Sequence, residues 1–273
     1  MQRPNGRINL DRAMHRLFPD DVEFAEMQGM IANAIVGQFL PDSVMKGGAS
    51  LKMRYGNLAT RVTTDFDASY RNTLERFVSE FRENLSQGWE GFTFDLVERE
   101  RAHPKGVNPA YVMRPFEVKL SYNGKSWTTV YLELSTNELG DADAPEYSPP
   151  PADVLSALEK LGFPPTGRLP LMPLEHQIAQ KLHGLTEESS ERAHDLVDIQ
   201  LICKRSVIDI GKVREIAAKL FRYRKMQTWP TLVVKHQDWD RLYAVASRKV
   251  PEVMSLDAAI AWVNETFICP LAS

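Results

Sequence analysis

The stretch "MKGGASLKMRYGNLATRVTTDFDASY", residues 45–70, decides how this chain is interpreted. A short apolar run ends in Gly47 and Gly48, and a basic segment with a tyrosine follows. Asp65 and Asp67 then stand two residues apart in a segment rich in β-forming residues, which predicts a strand. Side chains at positions i and i+2 leave the same face of a strand, so these two carboxylates are expected to lie side by side.

Two neighbouring carboxylates repel each other unless a cation lies between them. Mg²⁺ prefers hard oxygen ligands and commonly binds one or two carboxylates together with substrate phosphates. Glycines between a strand and a helix allow backbone N–H groups to approach a phosphate closely. The stretch therefore predicts a metal and phosphate site, although a solvated strand face after an ordinary glycine turn is the simpler alternative.

A third carboxylate is expected to complete such a site. Glu133 in "VYLELS" is the best candidate, because a glutamate between two leucines in an apolar strand is most easily explained if its face lines a cleft. Glu117 in "PFEVKL" is the competing candidate.

Composition restricts the class of protein. The chain has 273 residues, of which 43% are hydrophobic and 25% charged, as is typical of a globular protein. Its net charge of −3 does not indicate nucleic-acid binding, but leaves room for a local basic face. The start of the chain has no apolar signal-peptide core, and no apolar run approaches the ~20 residues of a membrane helix.

The two cysteines, Cys203 and Cys269, are far apart and have no CxxC or Cys/His cluster nearby. Neither a zinc site nor a disulfide framework is therefore expected, and a reducing cytoplasm is the natural location.

Hydrophobic periodicity predicts an α+β fold, in which an α/β part with a small mixed or antiparallel sheet precedes a C-terminal helical bundle. A Pro-, Asp- and Gly-rich segment separates them, so the predicted domains are 1–138 and 152–273, joined by an exposed loop over 139–151. Strands are predicted over 43–48, 61–70, 91–100 and in a hairpin over 116–135 around Asn123-Gly124. Helices are predicted over 8–18, 21–38, 49–56, 71–86, 152–161, 173–185, 190–205, 210–223, 238–247 and 255–267.

Two signatures resemble the nucleotidyltransferase AbiEii/AbiGii toxin family of the DNA-polymerase-β-like superfamily. The first contains a Lys-Gly-Gly turn, a Tyr-Gly segment and Arg-x-Thr-x-Asp-x-Asp. The second is "LEHQIAQKLHGLTEESSERAHDLVDIQLI", more than a hundred residues later and in the family's order. The matching residues are Lys46, Gly47, Gly48, Leu51, Tyr55, Gly56, Arg61, Thr63, Asp65 and Asp67 in the first, and Glu175, Ala179, Lys181, Leu185, Arg192, Asp195 and Asp198 in the second.

The resemblance implies transfer of a nucleoside monophosphate from an NTP to an acceptor hydroxyl, with release of pyrophosphate. It places two Mg²⁺ ions on Asp65 and Asp67, with Glu133 as third metal ligand or general base. The turn of Lys46, Gly47 and Gly48 is implied to hold the phosphates. The family's hydroxyl residue after Gly-Gly is Ala49 here, so the resemblance leaves this contribution to Ser50 or to backbone N–H groups alone.

The second signature is implied to assist the same reaction. Lys181 would neutralise phosphate charge, and Asp195 would orient Lys181 or contact the base or ribose. Arg192 and Asp198 are expected to support them, since residues 192, 195 and 198 share one helical face. A plain interhelical ion-pair network is the alternative reading of the same residues.

Family members are toxins of toxin–antitoxin pairs, and some add nucleotides to the 3′ end of tRNA. In "KLFRYRKMQTW", Arg222, Arg224 and Lys225 alternate with aromatic residues, a pattern that suits single-stranded RNA. The solvated end of an amphipathic helix explains the pattern equally well. Arg54 and Arg61, beside the first signature, are alternative RNA contacts.

Two other functions remain open at this stage. One is nucleotidylation of a small molecule or a protein hydroxyl, which the acidic loop 138–146 permits. The other is an NTP-binding regulatory module with little turnover, which Ala49 permits and the carboxylate set of Asp65, Asp67 and Glu133 disfavours.

Overall fold

A computed structural model of the protein describes residues 3–57, 60–63, 65–100, 112–250 and 252–269. The strands are β1 (Ser43–Lys46), β2 (Phe66–Tyr70), β3 (Phe92–Glu98), β4 (Arg114–Tyr122), β5 (Lys125–Thr136), β6 (Glu146–Ser148) and β7 (Leu169–Leu171). The helices are α1 (Arg7–Leu17), α2 (Asp21–Gly37), α3 (Gly47–Tyr55), α4 (Leu74–Ser86), α5 (Ala152–Lys160), α6 (Leu174–Leu185), α7 (His194–Arg205), α8 (Ile210–Arg224), α9 (Trp239–Ser247) and α10 (Leu256–Val263), followed by a π-helical turn (Asn264–Ile268).

The chain divides into two compact units. The first comprises Met1–Asn57 and Thr63–Met172, and the second comprises Leu58–Val62 and Pro173–Ser273. The division therefore falls at Met172, after the predicted loop 139–151 rather than within it. The physical reason is that β6 and β7, which lie after the start of this loop, pair with each other, and β7 pairs in turn with β1.

The first unit is built on a mixed seven-stranded sheet in the order β3-β4-β5-β2-β1-β7-β6. Strands β1 and β2 are antiparallel, whereas β2 and β5 are parallel and so are β1 and β7. The sheet is mixed, as the sequence predicts, but β6 and β7 were not predicted. Each is three residues long, too short for an alternating pattern to show.

The β4–β5 hairpin confirms the prediction made from Asn123-Gly124. Both residues have positive φ, 46° and 73°, as a two-residue type I′ connection requires. The hairpin sets the register of β5 because Tyr122 pairs with Lys125 directly across the turn, and a register shift follows at Leu120/Ser121. This register determines which residues of β5 face β2.

Strand β2 is shorter than predicted, since it begins at Phe66 rather than at Arg61. Its pairing with β1 starts where Asp67 faces Lys46, and at Gly47 the chain leaves the sheet to begin α3. Residues before Phe66 therefore have no β1 partner. Asp65 lies immediately before the strand, and Thr64, also inside the predicted strand, is outside the described residues.

One face of the central strands packs into the main core and the other carries polar side chains. Phe66, Ala68 and Tyr70 of β2 are buried in the same cluster as Met45 of β1. Helix α2 contributes to this cluster and begins where it was predicted, at an Asp20 side chain that accepts hydrogen bonds from two backbone N–H groups. Alternation along β2 thus leaves positions 67 and 69 on the opposite face.

The second unit is helical, with α6 to α10 close to their predicted positions. Predicted helix 190–205 begins later, at His194. Within the described part of the chain, no helix is both long and apolar enough to cross a membrane.

Candidate functional site

Three charged side chains form one cross-strand row on the polar face of the first unit's sheet. Lys46 of β1 is opposite Asp67 of β2, and Asp67 is opposite Glu133 of β5. Directly opposed residues on neighbouring strands lie close together, so Asp67 is an immediate neighbour of both Lys46 and Glu133. The register thus brings Glu133 to Asp67, two residues that are 66 positions apart in sequence.

The competing candidate, Glu117, lies elsewhere. It belongs to β4 and is opposite Tyr131, and it forms ion pairs with Arg99 at 3.4 Å and Lys119 at 3.8 Å. Glu117 therefore has two cations of its own and is not in the row with Asp67.

Gly47 lies in direct contact with Asp67. Its φ is +64°, and a Cβ atom placed there would lie 2.3 Å from Asp67 Oδ2. No side chain fits that distance, so the carboxylate rests directly on the glycine backbone at the first turn of α3. The Gly-Gly turn and Asp67, which the sequence presents as separate motifs, are therefore in direct contact.

The carboxylates influence each other electrostatically. Desolvation raises the pKa of Glu133, the charges of Asp67 and Asp65 raise it further, and the Lys46 ammonium opposes the shift. Such mutual repulsion is the condition under which a bound cation is favourable. Asp65 is exposed and Asp67 is half-buried, so solvent reaches both side chains.

The donor set is chemically suited to a divalent cation, since carboxylate oxygens are the ligands that Mg²⁺ prefers. Among the described residues, however, no three His, Cys, Asp or Glu side chains are gathered as a ready-made metal site. The fit rests on the close approach of Gly47 to Asp67, on the register that pairs Asp67 with Glu133, and on the repulsion between the carboxylates.

The side chain of Ser50 lies inside the protein. It is fully buried within the first turns of α3, with 0% exposure. Lys46 and Gly47 of the same turn are partly exposed.

A second polar row, which the sequence did not reveal, adjoins the first. Lys46 Nζ donates a hydrogen bond of 2.6 Å to Ser135 Oγ. Ser135 is opposite Ser69, and Ser69 Oγ donates to Asp141 Oδ1 at 2.9 Å. Asp141 is only 1% exposed. It lies in the acidic loop that composition predicted to be exposed, and no spacing signal in the sequence distinguishes it from its acidic neighbours.

Burial raises the pKa of Asp141 to about 6, against the opposing effects of the Lys46 ammonium and the Ser69 hydroxyl. The Glu138 backbone N–H also donates to Asp141 Oδ1 at 3.1 Å. Burial of the charged Asp141 carboxylate costs folding free energy, so Asp141 is a candidate functional residue.

The second unit holds a separate ionic cluster. Lys181 Nζ lies 2.7 Å from both Asp195 Oδ1 and Asp198 Oδ2. Arg61 Nε bonds both oxygens of Asp198 at 3.1 Å, and Arg192 Nε bonds Asp195 Oδ2 at 2.7 Å. The interhelical network considered from the sequence is therefore present, and it brings together Lys181, Arg192, Asp195 and Asp198 of the second signature.

Burial alone would raise the pKa of Asp195, but Arg192 and Lys181 outweigh that effect and hold the pKa well below its usual range. Desolvation lowers the pKa of the neighbouring His194 to about 4, so this histidine is neutral at pH 7. Three cations and two carboxylates leave the five-residue cluster with one net positive charge.

The two alternative RNA contacts are occupied by the protein itself. Arg54 forms an ion pair with Glu146 at 2.6 Å and donates to the Met172 carbonyl at 3.2 Å. Arg61 is held by Asp198. Both side chains are largely buried, with exposures of 16% and 17%, so neither is a freely presented phosphate contact.

The basic strip at the end of α8 borders a pocket of about 510 Å³ in the second unit. Arg222, Lys225 and Met226 line it together with Phe221 and Trp229, whose rings meet edge to face at 5.1 Å. Arg224 is not in this lining and contacts His183 Nδ1 at 3.4 Å. Two of the three basic residues of the strip thus line the pocket, and the third contacts another side chain of the second unit.

Comparison with known proteins identifies the family. The family described as "Nucleotidyl transferase AbiEii toxin, Type IV TA system" matches residues 32–261. Among solved structures, the MenT4 nucleotidyltransferase toxin of Mycobacterium tuberculosis is similar at 18% sequence identity and a TM-score of 0.53, over 94% of this chain and 98% of that one. No curated protein sequence matches. At that identity the solved structure establishes a similar fold.

The contact between Gly47 and Asp67 generates a first prediction. Gly47→Ala should lower the free energy of unfolding by more than Gly124→Ala does. Both glycines have positive φ, which costs any other residue roughly 1–2 kcal/mol, but a Cβ at Gly124 has open space around it. Chemical denaturation of both variants measures the difference. Equal losses would mean that the Asp67 side chain moves aside at no cost in free energy. Its close approach to Gly47 would then not require a glycine.

The buried Asp141 generates a second prediction. The folded state binds its proton more tightly than the unfolded chain, whose carboxyl has a pKa near 3.8. The free energy of unfolding therefore falls as the pH rises from about 4 to about 6, by up to about 3 kcal/mol. Asp141→Asn cannot ionise, so its stability relative to wild type should rise over this range and stay high at about pH 7.

Denaturant titrations at about pH 4 and about pH 7 test this expectation. Asp143→Asn is the matched control, because it changes an exposed carboxylate of the same loop. A stability difference between Asp141→Asn and wild type that is the same at both pH values would contradict the prediction.

Proposed function

This chain belongs to the nucleotidyl transferase AbiEii toxin family of type IV toxin–antitoxin systems, and we propose that it transfers a nucleoside monophosphate from an NTP to an acceptor hydroxyl. As a nucleotidyltransferase of this kind it uses an NTP and a divalent metal ion, and membership of a toxin family implies an antitoxin partner. The observation that carries the proposal is the row of Lys46, Asp67 and Glu133 beside the Gly47 turn.

Asp65, Asp67 and Glu133 are the proposed ligands of two Mg²⁺ ions. Bound there, the metal would supply charge stabilisation for the transferring phosphoryl group and a lower pKa for the attacking hydroxyl. The protein's own part is to hold negatively charged oxygens at adjacent positions of a rigid sheet. The repulsion that raises the pKa of Glu133 supports this assignment.

Glu133 has a second proposed role as acceptor of the proton from the attacking hydroxyl. A carboxylate with a raised pKa is a stronger base than an ordinary glutamate. Its place at the edge of the carboxylate row, exposed to solvent, suits a group that must meet an acceptor substrate.

The phosphates of the NTP are assigned to the turn between β1 and α3. The backbone N–H groups of Gly47 and Gly48 lie at the start of the helix, where unpaired donors and the helix dipole favour an anion. The Lys46 ammonium precedes them and adds positive charge. In this proposal the backbone replaces the hydroxyl that the family carries after Gly-Gly, because Ala49 has none and Ser50 is buried.

In the second unit, we propose that Lys181 neutralises phosphate charge. Its support is the net positive charge of its cluster and the way Asp195 and Asp198 fix the ammonium from two sides. In this role Asp195 and Asp198 orient Lys181, while Arg192 and Arg61 hold the carboxylates in turn.

The proposed acceptor is the 3′ end of an RNA, most simply a tRNA. The pocket beside α8 combines the two features that single-stranded ends need, since Arg222 and Lys225 offer charge for phosphates and Trp229 offers an aromatic surface for a base. We place the reaction in the cytoplasm, where NTPs and tRNA occur; Cys203 and Cys269 are both free thiols, as that compartment favours.

Replacing the carboxylates tests the reaction. Asp67→Asn and Glu133→Gln should each lower nucleotidyl transfer by about two to three orders of magnitude, the scale on which preorganised electrostatic groups contribute. Thermal stability without metal should stay the same or rise, because a repelling charge is removed. The assay is incorporation of each α-labelled NTP into total cellular RNA, with cell protein as a parallel acceptor.

Glu117→Gln is the matched control, because Glu117 is also a strand glutamate but pairs with Arg99 and Lys119. It should retain transfer close to that of wild type. Full activity in Asp67→Asn, or an equal loss in Glu117→Gln, would refute the carboxylate assignment. Label appearing in protein instead of RNA would overturn the acceptor while leaving the enzyme class intact.

The pocket generates a further prediction about the acceptor. Arg222→Gln with Lys225→Gln should weaken RNA binding and reduce its log–log salt dependence by roughly 0.7 for each lost phosphate contact. NTP affinity should stay the same, since the phosphates are assigned to the Gly47 turn.

Lys212→Gln with Lys219→Gln is the control, because it removes two positive charges from the same helix outside the pocket. Filter binding across a salt series gives the slopes. Equal slopes for wild type and the pocket variant would exclude the strip from RNA binding.

A further inference from the structure

The acidic loop after β5 folds back onto the polar face of the sheet, next to the catalytic row. Ala142 of this loop is buried against Val44 of β1, and Val44 lies two residues before Lys46 on the same side of the strand. The loop also closes on itself, since the Asn137 side chain accepts from the Ala142 backbone N–H and donates to Asp143. Asp141 is thereby delivered to a fixed place beneath the row.

Lys46 lies between two sets of negative charge. On one side are Asp67, its neighbour on β2, and Glu133, one strand further on β5. On the other is Asp141, which accepts from Ser69, and Ser69 lies opposite the Ser135 that accepts from Lys46. The ammonium hydrogen-bonds to Ser135, so it leans toward the second row of the sheet face.

We propose that Asp141 is a positioning residue that draws the Lys46 ammonium toward Ser135 and so keeps it from closing on Asp67 and Glu133. An ammonium paired with those two carboxylates would compete with any cation or phosphate brought to them. A buried carboxylate behind Lys46 supplies the counter-attraction at a distance from the reacting groups. Lys46 is then held ready for the NTP phosphates and does not itself pair with these carboxylates.

The electrostatics agree with this geometry. Lys46 is the principal charge opposing the effect of burial on Asp141, and it acts on Glu133 in the same sense. A buried carboxylate that served only to stabilise the loop would be an expensive choice, because Asn offers the same acceptor to Ser69 Oγ and to the Glu138 N–H at no cost in charge burial. The retained negative charge therefore calls for a function beyond loop structure.

The test is a double-mutant cycle on nucleotidyl transfer, so the inference rests on the proposed function. Asp141→Asn should lower kcat/KM by about 10- to 100-fold while its melting temperature at about pH 7 stays equal to or above that of wild type. Lys46→Met should also lower kcat/KM. The double variant should be no worse than Lys46→Met alone, because Asp141 acts through that side chain.

Two further variants keep the result interpretable. Asp143→Asn, in the same loop, keeps a side-chain oxygen that can accept from Asn137, so it should transfer like wild type. Ser135→Ala removes the hydrogen-bond acceptor of Lys46 without touching the loop, and its loss should also disappear in the Lys46→Met background. It replaces Asp141→Asn in the cycle if that variant does not fold.

Several outcomes would overturn the inference. These are wild-type activity in Asp141→Asn, losses that multiply in the double variant, or an equal loss in Asp143→Asn. The positive control is the wild-type protein, which should transfer nucleotide, and the negative control is Asp67→Asn, which should not. If wild type itself fails to transfer, the proposed function fails first, and the two failures are thus distinguishable.

Discussion

Like-charge repulsion between carboxylates on adjacent strands is the constraint on which the first unit's site depends. The parallel pairing of β2 and β5 places Asp67 and Glu133 side by side. Three nearby features are related to this repulsion. Lys46 lies opposite Asp67, the glycine at position 47 leaves space for the Asp67 carboxylate, and the pKa of Glu133 is raised. Carboxylates held this close together favour a bound cation.

The second unit balances charge in the opposite way. Asp195 and Asp198 are buried, yet each bonds two cations, so their charges are satisfied inside the protein. A buried pair of this kind contributes little net stability, because desolvation of the ions offsets their attraction. What it provides is a fixed position for Lys181 and one surplus positive charge. A ligand-binding role is therefore proposed for the more exposed carboxylates of the first unit, and an orienting role for the buried, ion-paired aspartates of the second.

Much of this architecture could be predicted locally. Asn123-Gly124 predicted the hairpin, and apolar periodicity predicted α2 and α4 to within a few residues. Glu133 was preferred over Glu117 because a charged residue between leucines needs a special environment, and the register places it opposite Asp67. The errors occurred where local pattern is weak or partners are distant. Strands β6 and β7 are too short to show alternation, and β2 starts late because β1 ends at Lys46.

By itself the sequence determined most helices and strands and the family, because helical periodicity, turn residues and motif spacing can be recognised without knowing which residues meet in the fold. Only the tertiary structure decided which side chains meet. It buried Ser50, paired Arg54 with Glu146, and turned Asp141 from one acid in a loop into the partner of Ser69. The physical reason is that burial and hydrogen bonding depend on residues tens of positions away, and a composition that predicts an exposed loop carries no information about which of its carboxylates the chain folds inward.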